Sequence, residues 1–428
     1  MKNSVPEGRL ARASIAGGTA VKLGIDQLKH TVKRPFLSAA SRHEAREALD
    51  EKGAKRLFAA LSQLRGTALK AAQMLSMEVD LLPETYRREL EKSCHQVPPL
   101  NRVLVRKVLS EEFASPPEAL FKSFTNEAFA AASLGQVHAA TLHDGTPVAV
   151  KIQYPGIAVS IDSDMALMRQ MVRGLPNSRL ILNSLEEIHA RLREEVDYLQ
   201  EAENTRWFQQ HLQLDGIHLP PLFSAQSSQR VLTTGLMPGL HLDAWLKTAP
   251  DQATRDLAAQ RLYDLFVDST LKLRRLHADP NPGNYLFAPD GALTVLDFGC
   301  IKTISEPFAH ILPAILNAYL DDAPDALFAA YQALGMLHGK DSQRIYHEIL
   351  RPFGHWLVEP LREETFDFGG NADYSNRGKE HFQRLSQLRQ LNTLANEFIF
   401  FDRTLYGLCR LFERMGARVK IRQHWTKV

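Results

Sequence analysis

The sequence predicts an α+β fold in two parts, a small antiparallel sheet and a larger, mostly helical region. Three observations point there. Residues 124–154 read as strand, turn, strand around Asp144-Gly145, a dipeptide suited to the tight turn of a hairpin. Residues 42–96 carry Ala, Leu, Lys and Glu with no proline until Pro83, and residues 102–113 continue in the same way, which favours helices on both stretches. Residues 304–428 are again mostly helical in pattern.

The elements follow in order. Residues 1–37 hold seven cationic side chains, Lys2, Arg9, Arg12, Lys22, Lys29, Lys33 and Arg34, against Glu7 and Asp26. Apolar positions recur there at roughly helical spacing, so the segment reads as a basic amphipathic helix able to lie on an anionic membrane, or as a docked terminal helix. Pro116-Pro117 ends the early helical region. Helices are expected over 160–172 and 184–211, a strand over 230–236, and a long helical stretch over 241–276. The apolar run 292–296 reads as a further strand. The boundaries expected are 1–40 for the basic segment, 41–120 for a helical extension, 121–236 for a small lobe with a helical insertion, and 237–428 for a large lobe.

Composition sets limits. The chain has 428 residues, 44% hydrophobic and 23% charged, with a net charge of +2. That balance and the lack of a basic-aromatic motif argue against a nucleic-acid partner. Three widely spaced cysteines, Cys94, Cys300 and Cys409, form neither a disulfide framework nor a zinc motif and fit a reducing compartment. No signal-peptide core and no transmembrane run are evident, so a cytoplasmic protein, peripheral at an inner membrane, is expected.

Four residues carry chemistry when taken together. Lys151 ends the strand Val148-Ala149-Val150-Lys151, the pattern of a strand whose lysine grips nucleotide phosphates. His277-Ala278-Asp279 is followed five residues after the aspartate by Asn284. This is the spacing at which a carboxylate orients a nucleophile and an amide oxygen holds Mg²⁺. Asp297-Phe298-Gly299 follows an apolar strand and places a second oxygen ligand for that ion. Each piece alone is weak: a strand-end lysine is usually solvated, and Asp367-Phe368-Gly369 repeats the tripeptide with no apolar strand before it, so that copy reads as structural. The order Lys151, Asp279, Asn284, Asp297 is explained by a protein-kinase-like two-lobed fold holding ATP. A glycine-rich phosphate loop is missing. In its place stands Ala130-Ala131-Ala132-Ser133-Leu134-Gly135-Gln136, whose Cβ atoms restrict the closure that glycines allow.

With these residues the chain resembles the UbiB-like, or AarF-domain, atypical kinases, and is most similar to the branch that supports coenzyme Q synthesis. The resemblance runs through LRGTALKAAQMLS, FAAASLGQVHAA, VAVKIQYPG, EEVDYLQEAEN, HADPNPGN and VLDFG, and covers nearly the whole chain. It implies a helical extension over the active site, with Lys70 and Gln73 reaching the nucleotide. It implies Glu195 and Asp197 as an acidic pair, Glu195 answering Lys70, and Glu201 pairing with Lys151. It implies nucleotide contacts from Ala131, Ala132 and Ser133 and a hinge at Thr233 and Gly235. On helical spacing Glu194, Asp197 and Glu201 fall on one face of a single helix, whereas Glu195 points elsewhere. Three positions depart from the family pattern: Ala72 stands where the family has Gly, Asn281 where His is frequent, and Gly235 where Glu is more usual.

The resemblance implies an Mg-ATP-dependent ATPase or phosphotransferase supporting ubiquinone biosynthesis, acting on or near a lipid-like quinone precursor. Its partners would be ATP, an anionic membrane surface and other quinone-biosynthesis proteins, with a homodimer also open. A non-catalytic nucleotide-binding scaffold and a protein or small-molecule kinase are the alternatives.

Overall fold

A computed structural model describes residues 38–64, 102–132, 134–173, 178–385 and 393–425 continuously, with scattered positions before residue 38 and between 65 and 74. The chain divides into two compact units. Unit 1 comprises Met1–Gln200 and Phe223–Gly235, and unit 2 comprises Glu201–Leu222 and Leu236–Val428.

Unit 1 is built on a five-stranded antiparallel sheet. Its strands are β1 (Ser123–Phe124), β2 (Ala130–Ala132), β3 (Gly135–Thr141), β4 (Pro147–Gln153) and β6 (Val231–Gly235). The order is β1-β3-β4-β6, with β2 also on β3. The predicted turn joins β3 to β4. Gly145 there has φ 93°, which a side chain would strain, and Asp144 accepts from the Thr146 amide. Alternation along β4 buries Val148, Val150 and Ile152 on one face, against Val105, Val108 and Leu109 of the helix α2 (Arg102–Phe113). Each such side chain contributes about 1.5–3 kcal/mol by leaving water. Ala149 and Lys151 project from the opposite face.

A second cluster in unit 1 joins three helical pieces. The helix α1 (Ala39–Leu64), the helical positions Ala68 and Ala71, and the pair α3 (Ile157–Val172) and α4 (Ser178–Glu195) share a core that includes Leu57, Leu61, Ile161, Met165, Leu185 and Leu192. The fully buried Thr67 hydroxyl meets Ser160 at 2.8 Å.

The expected helix over 184–211 is two helices. α4 stops at Glu195, and α5 (Tyr198–His211) starts after a break at Val196-Asp197. The Asp197 carboxylate accepts from the Gln200 amide, satisfying one of the donors that a helix start leaves open. Glu194, Asp197 and Glu201 therefore do not line one helical face. The division between units also falls here, just after Gln200.

Unit 2 is mostly helical. The helical stretch over 241–276 contains two helices: Ala249-Pro250 separates α6 (Leu242–Lys247) from α7 (Gln252–Val267), with Asp251 capping the latter through the Thr254 amide. A π-turn at Asp268–Lys272 closes α7. The chain then enters β7 (Arg275–His277), β8 (Tyr285–Phe287), β9 (Leu293–Val295) and β10 (Ile301–Thr303). β8 pairs antiparallel with β9, β7 with β10, and the short β5 (Ile217–His218) adds in parallel to β9. The helices α8 (Glu306–Leu320), α9 (Pro324–Ala333), α10 (Arg351–Leu357), α11 (Tyr374–Leu385) and α12 (Thr393–Met415) complete the unit around an aromatic-rich core. The second tripeptide, Asp367-Phe368-Gly369, lies at a short pairing of β11 (Phe366–Asp367) with β12 (Arg418–Val419). Asp367 there accepts from the Gly370 amide and from Arg418.

Candidate active site

Strand register assembles the chemistry of unit 2. Tyr285 pairs with Val295 and Phe287 with Leu293, so the residue before β8 lies beside the residue after β9. The Leu296 amide accordingly donates to the Asn284 carbonyl at 2.9 Å, which sets Asn284 next to Asp297. β7 and β10 pair His277 with Ile301, and the Ala278 amide donates to the Cys300 carbonyl at 2.9 Å. Two sequence segments twenty residues apart thus meet at one end of two small sheets.

The loop between them is stiffened from within. Asn284 Nδ2 donates to Asp279 Oδ2 at 2.8 Å and to the Asp279 carbonyl at 3.3 Å. Because the side-chain amide nitrogen is spent on Asp279, the side-chain oxygen Oδ1 of Asn284 is left as the acceptor on the other branch of the same plane. Asn281 Oδ1 accepts from the Gly283 amide and Pro282 occupies the first position of a short 3₁₀ turn, which together fix the stretch 281–284. Asn281 therefore serves the loop's shape.

Asp297 is held by its own turn and by a histidine. Its Oδ1 accepts from the Gly299 amide at 2.8 Å, and its carbonyl lies 2.7 Å from His277 Nε2. A carbonyl only accepts, so that ring nitrogen carries the proton. The helix α5 borders the same turn. Asn204 Nδ2 donates to the Phe298 carbonyl at 2.9 Å, and a Cβ built on Gly299 would lie 3.8 Å from Glu201 Oε2 and 3.1 Å from Asp297 Oδ1. Glu201 is buried, and its carbonyl accepts from Thr205. Burial, with the Asp279 and Asp297 charges added, pushes the Tyr285 hydroxyl far above its ordinary range, so it stays a neutral phenol.

In unit 1, Lys151 Nζ sits 4.9 Å from the centre of the Tyr198 ring, a cation–π distance. Gly135 lies opposite Gln153 in the β3–β4 ladder, and a Cβ there would come 2.4 Å from the Ile152 carbonyl oxygen and 3.0 Å from the Tyr198 hydroxyl. The alanine loop is a real hairpin: Ala131 pairs with Gln136 and Ala132 with Gly135. Extended backbone tolerates a Cβ, which explains alanine where a left-handed turn would demand glycine.

A family model, the ABC1 atypical kinase-like domain, matches residues 92–327, more than half of the chain. The chain belongs to this family. The atypical kinase COQ8B, mitochondrial, of Rattus norvegicus is 33% identical over 98% of this chain and 80% of its own. COQ8B of Danio rerio is 32% identical over 86% of this chain and 60% of its own, and COQ8 of Saccharomyces cerevisiae is 27% identical over 97% and 84%. In fold the chain is similar to the Mycobacterium tuberculosis protein Rv3197, solved with erythromycin, at a TM-score of 0.62 and 24% identity, covering 90% of this chain and 98% of that one. The ABC1 match establishes the α+β kinase-like fold and the atypical kinase class that the sequence predicts.

Within that family frame the predicted residues are distributed as follows. Asp279, Asn284, Asp297 and Glu201 fall in unit 2, and Lys151, Lys70, Glu195, Thr233 and Gly235 in unit 1. Ala131 and Ala132 form β2, while Ser133 and Gln73 lie outside the described residues, as does Ala72. Lys70 belongs to the helical segment whose Ala68 and Ala71 are buried against α3 and α4. The Thr233 hydroxyl is fully buried and donates to the Gln226 carbonyl at 2.6 Å. Thr233 pairs with Val150, so it shares the face opposite Lys151, and its side chain is committed to the loop 224–227.

Four contributors escaped the sequence reading: His277, Asn204, Tyr198 and Gly135. His277 carried a signal, since it opens His277-Ala278-Asp279, but its role depends on the β7–β10 pairing. Among the described residues no group of three His, Cys, Asp or Glu side chains could hold a metal alone, and no helix is long and apolar enough to cross a membrane.

Proposed function

We propose that this ABC1 protein is an Mg-ATP-dependent ATPase or phosphotransferase supporting ubiquinone biosynthesis, acting on or near a lipid-like quinone precursor. What carries the reading is the convergence in unit 2 of Asp279, Asn284 and Asp297, held by the Leu296–Asn284, Asn284–Asp279 and His277–Asp297 hydrogen bonds.

The donor set fits a hard ion. Asn284 has its amide oxygen to offer, and Asp297, shaped by the Gly299 amide on Oδ1, brings a carboxylate, the oxygen chemistry that a hard divalent ion prefers. Bound Mg²⁺ supplies charge neutralisation on the nucleotide phosphates. Asp279 orients the attacking hydroxyl or water and draws its proton, steadied by the Asn284 amide. Lys151 neutralises phosphate charge, with Glu201 as its partner and Tyr198 beneath it. Lys70 and Gln73, with Glu195, act from the helical extension; Ala131, Ala132 and Ser133 approach the phosphates, and the backbone at Thr233 and Gly235 contacts the base. Phosphoryl transfer asks mainly for positioning and electrostatics, which such a set can provide.

ADP release is the direct test, compared between the wild type and Asp297→Asn, with and without cardiolipin-rich liposomes and a phenolic quinone-precursor mimic. The expected result is turnover in the wild type, raised by the membrane and the phenol and lost in the variant. Equal background from both proteins would leave a non-catalytic nucleotide-binding scaffold. Robust labelled-phosphate transfer onto a protein panel would make it a protein kinase.

A further inference from the structure

Helix α12 meets the 277–284 loop at Gly407. A Cβ on Gly407 would lie 2.4 Å from Pro280 Cγ and 3.2 Å from its Cβ, so the pyrrolidine ring rests on bare helix backbone. Glycine inside a helix is less stable than alanine, so its presence in the middle of a 23-residue helix asks for a reason. Close approach of Pro280 is that reason.

The consequence follows from what Pro280 is bonded to. It directly follows Asp279, the residue read above as orienting the nucleophile. The hydrogen bonds within 279–284 set the loop's internal shape. The Gly407 contact adds a support from outside the loop at the neighbour of Asp279. The helix that provides it is firmly rooted: Phe401, Leu405, Leu408 and Phe412 are buried in the unit 2 core, and Glu397, near its start, accepts from both the amide and the hydroxyl of Ser305. A ring locked in φ transmits such a contact to the adjacent residue with little slack.

We propose that Gly407 is a positioning residue for Asp279, acting through the Pro280 ring. This rests on the reading of Asp279 given under the proposed function. A methyl group at 407 pushes the ring away from the helix and moves the carboxylate with it, by the kind of displacement that costs orders of magnitude in a reaction dependent on alignment.

The experiment compares Gly407→Ala, Pro280→Ala and the double variant with the wild type, measuring the kcat of ADP release and the Kd of a fluorescent ATP analogue. Alanine favours the helix itself, so Gly407→Ala is expected to fold. Its kcat should fall on the order of 10- to 100-fold while its Kd stays within about twofold, because Asp279 acts on the nucleophile and leaves nucleotide binding alone. Pro280→Ala removes the atom that the new methyl would strike, so the double variant should recover much of the lost kcat. A Gly407→Ala protein with wild-type kcat, a parallel loss of kcat and affinity, or no recovery in the double variant would overturn the proposal. Wild-type turnover equal to Asp297→Asn would instead sink the functional reading. Amide hydrogen exchange at Gly283 and Asn284 then decides: faster exchange in Gly407→Ala, restored in the double variant, supports the contact's role, and unchanged exchange refutes it.

Discussion

The His277 ring donates from Nε2 to the Asp297 carbonyl at 2.7 Å, while His277 Nδ1 has no hydrogen-bond partner among the described residues. One buried imidazole thereby ties the segment that carries Asp279 to the segment that carries Asp297, and it packs edge-on against Phe298 at 5.5 Å. His277→Ala removes the hydrogen bond to the Asp297 carbonyl and opens a void beside Phe298. A loss of about 1–3 kcal/mol in stability is expected, measured by chemical denaturation. Turnover should fall about tenfold or more as Asp297 loses its tether. Wild-type turnover in a stably folded His277→Ala protein would show that the tether has no part in catalysis.

Tyr198 supplies a ring beneath Lys151, so the aromatic face, and not the hydroxyl, should matter to the cation. A cation–π contact of this kind is worth about 0.5–2 kcal/mol, which corresponds to roughly 2- to 30-fold in affinity. Tyr198→Phe should keep ATP affinity near wild type. Tyr198→Leu should weaken it within that range, as read by equilibrium binding of an ATP analogue. Equal affinities for the Phe and Leu variants would remove Tyr198 from the nucleotide's environment.

How far the sequence reached is best seen at particular residues. The hairpin at Asp144-Gly145, the helix over 102–113 and the strand carrying Lys151 were legible because local signals, a turn dipeptide and a clean periodicity, decide them. The family and kinase-like fold were legible in the motifs. The helix break at Val196-Asp197 was not, because Asp197 looks like any helical acid until its carboxylate is seen on the Gln200 amide. The helical character of 241–276 was legible, but its division at Ala249-Pro250 was not marked, because proline is tolerated next to a helix start and the capping by Asp251 shows only in the structure. Gly407 and His277 drew no attention as contacts because their partners lie 127 and 20 residues away in the chain, where periodicity carries no information.

Gly135 is crowded by backbone. A Cβ would sit 2.4 Å from the Ile152 carbonyl oxygen, and main-chain atoms of a paired strand cannot rotate aside as a flexible side chain can. Gly135→Ala should therefore force β3 and β4 apart at the end of the ladder where Val137 pairs with Lys151. The expected cost is about 1–3 kcal/mol of stability, with weakened nucleotide binding from a displaced Lys151. Thermal unfolding and ATP-analogue titration measure the two effects. Unchanged stability in Gly135→Ala would mean that the strands relax freely there.

Asp402, on α12, is fully buried, and neither carboxylate oxygen has a hydrogen-bond partner among the described residues. Burial alone pushes its carboxyl well above the ordinary carboxylate range, and its charge is felt by the buried pair Tyr319 and Tyr331. The sign of the pH effect follows. Between the unfolded value of about 3.9 and the raised folded value, the native state keeps a proton that the unfolded chain has lost. Stability linked to this group is thus full below about pH 3.9 and declines as pH rises through the window, at about 1.4 kcal/mol per unit. Asp402→Asn has nearly the same shape and no ionisation, so it removes the slope. Denaturation midpoints followed upward from about pH 4 should show the variant gaining on the wild type as pH rises into that window. Parallel curves for the two proteins across that range would mean that Asp402 finds a partner for its charge in the folded state.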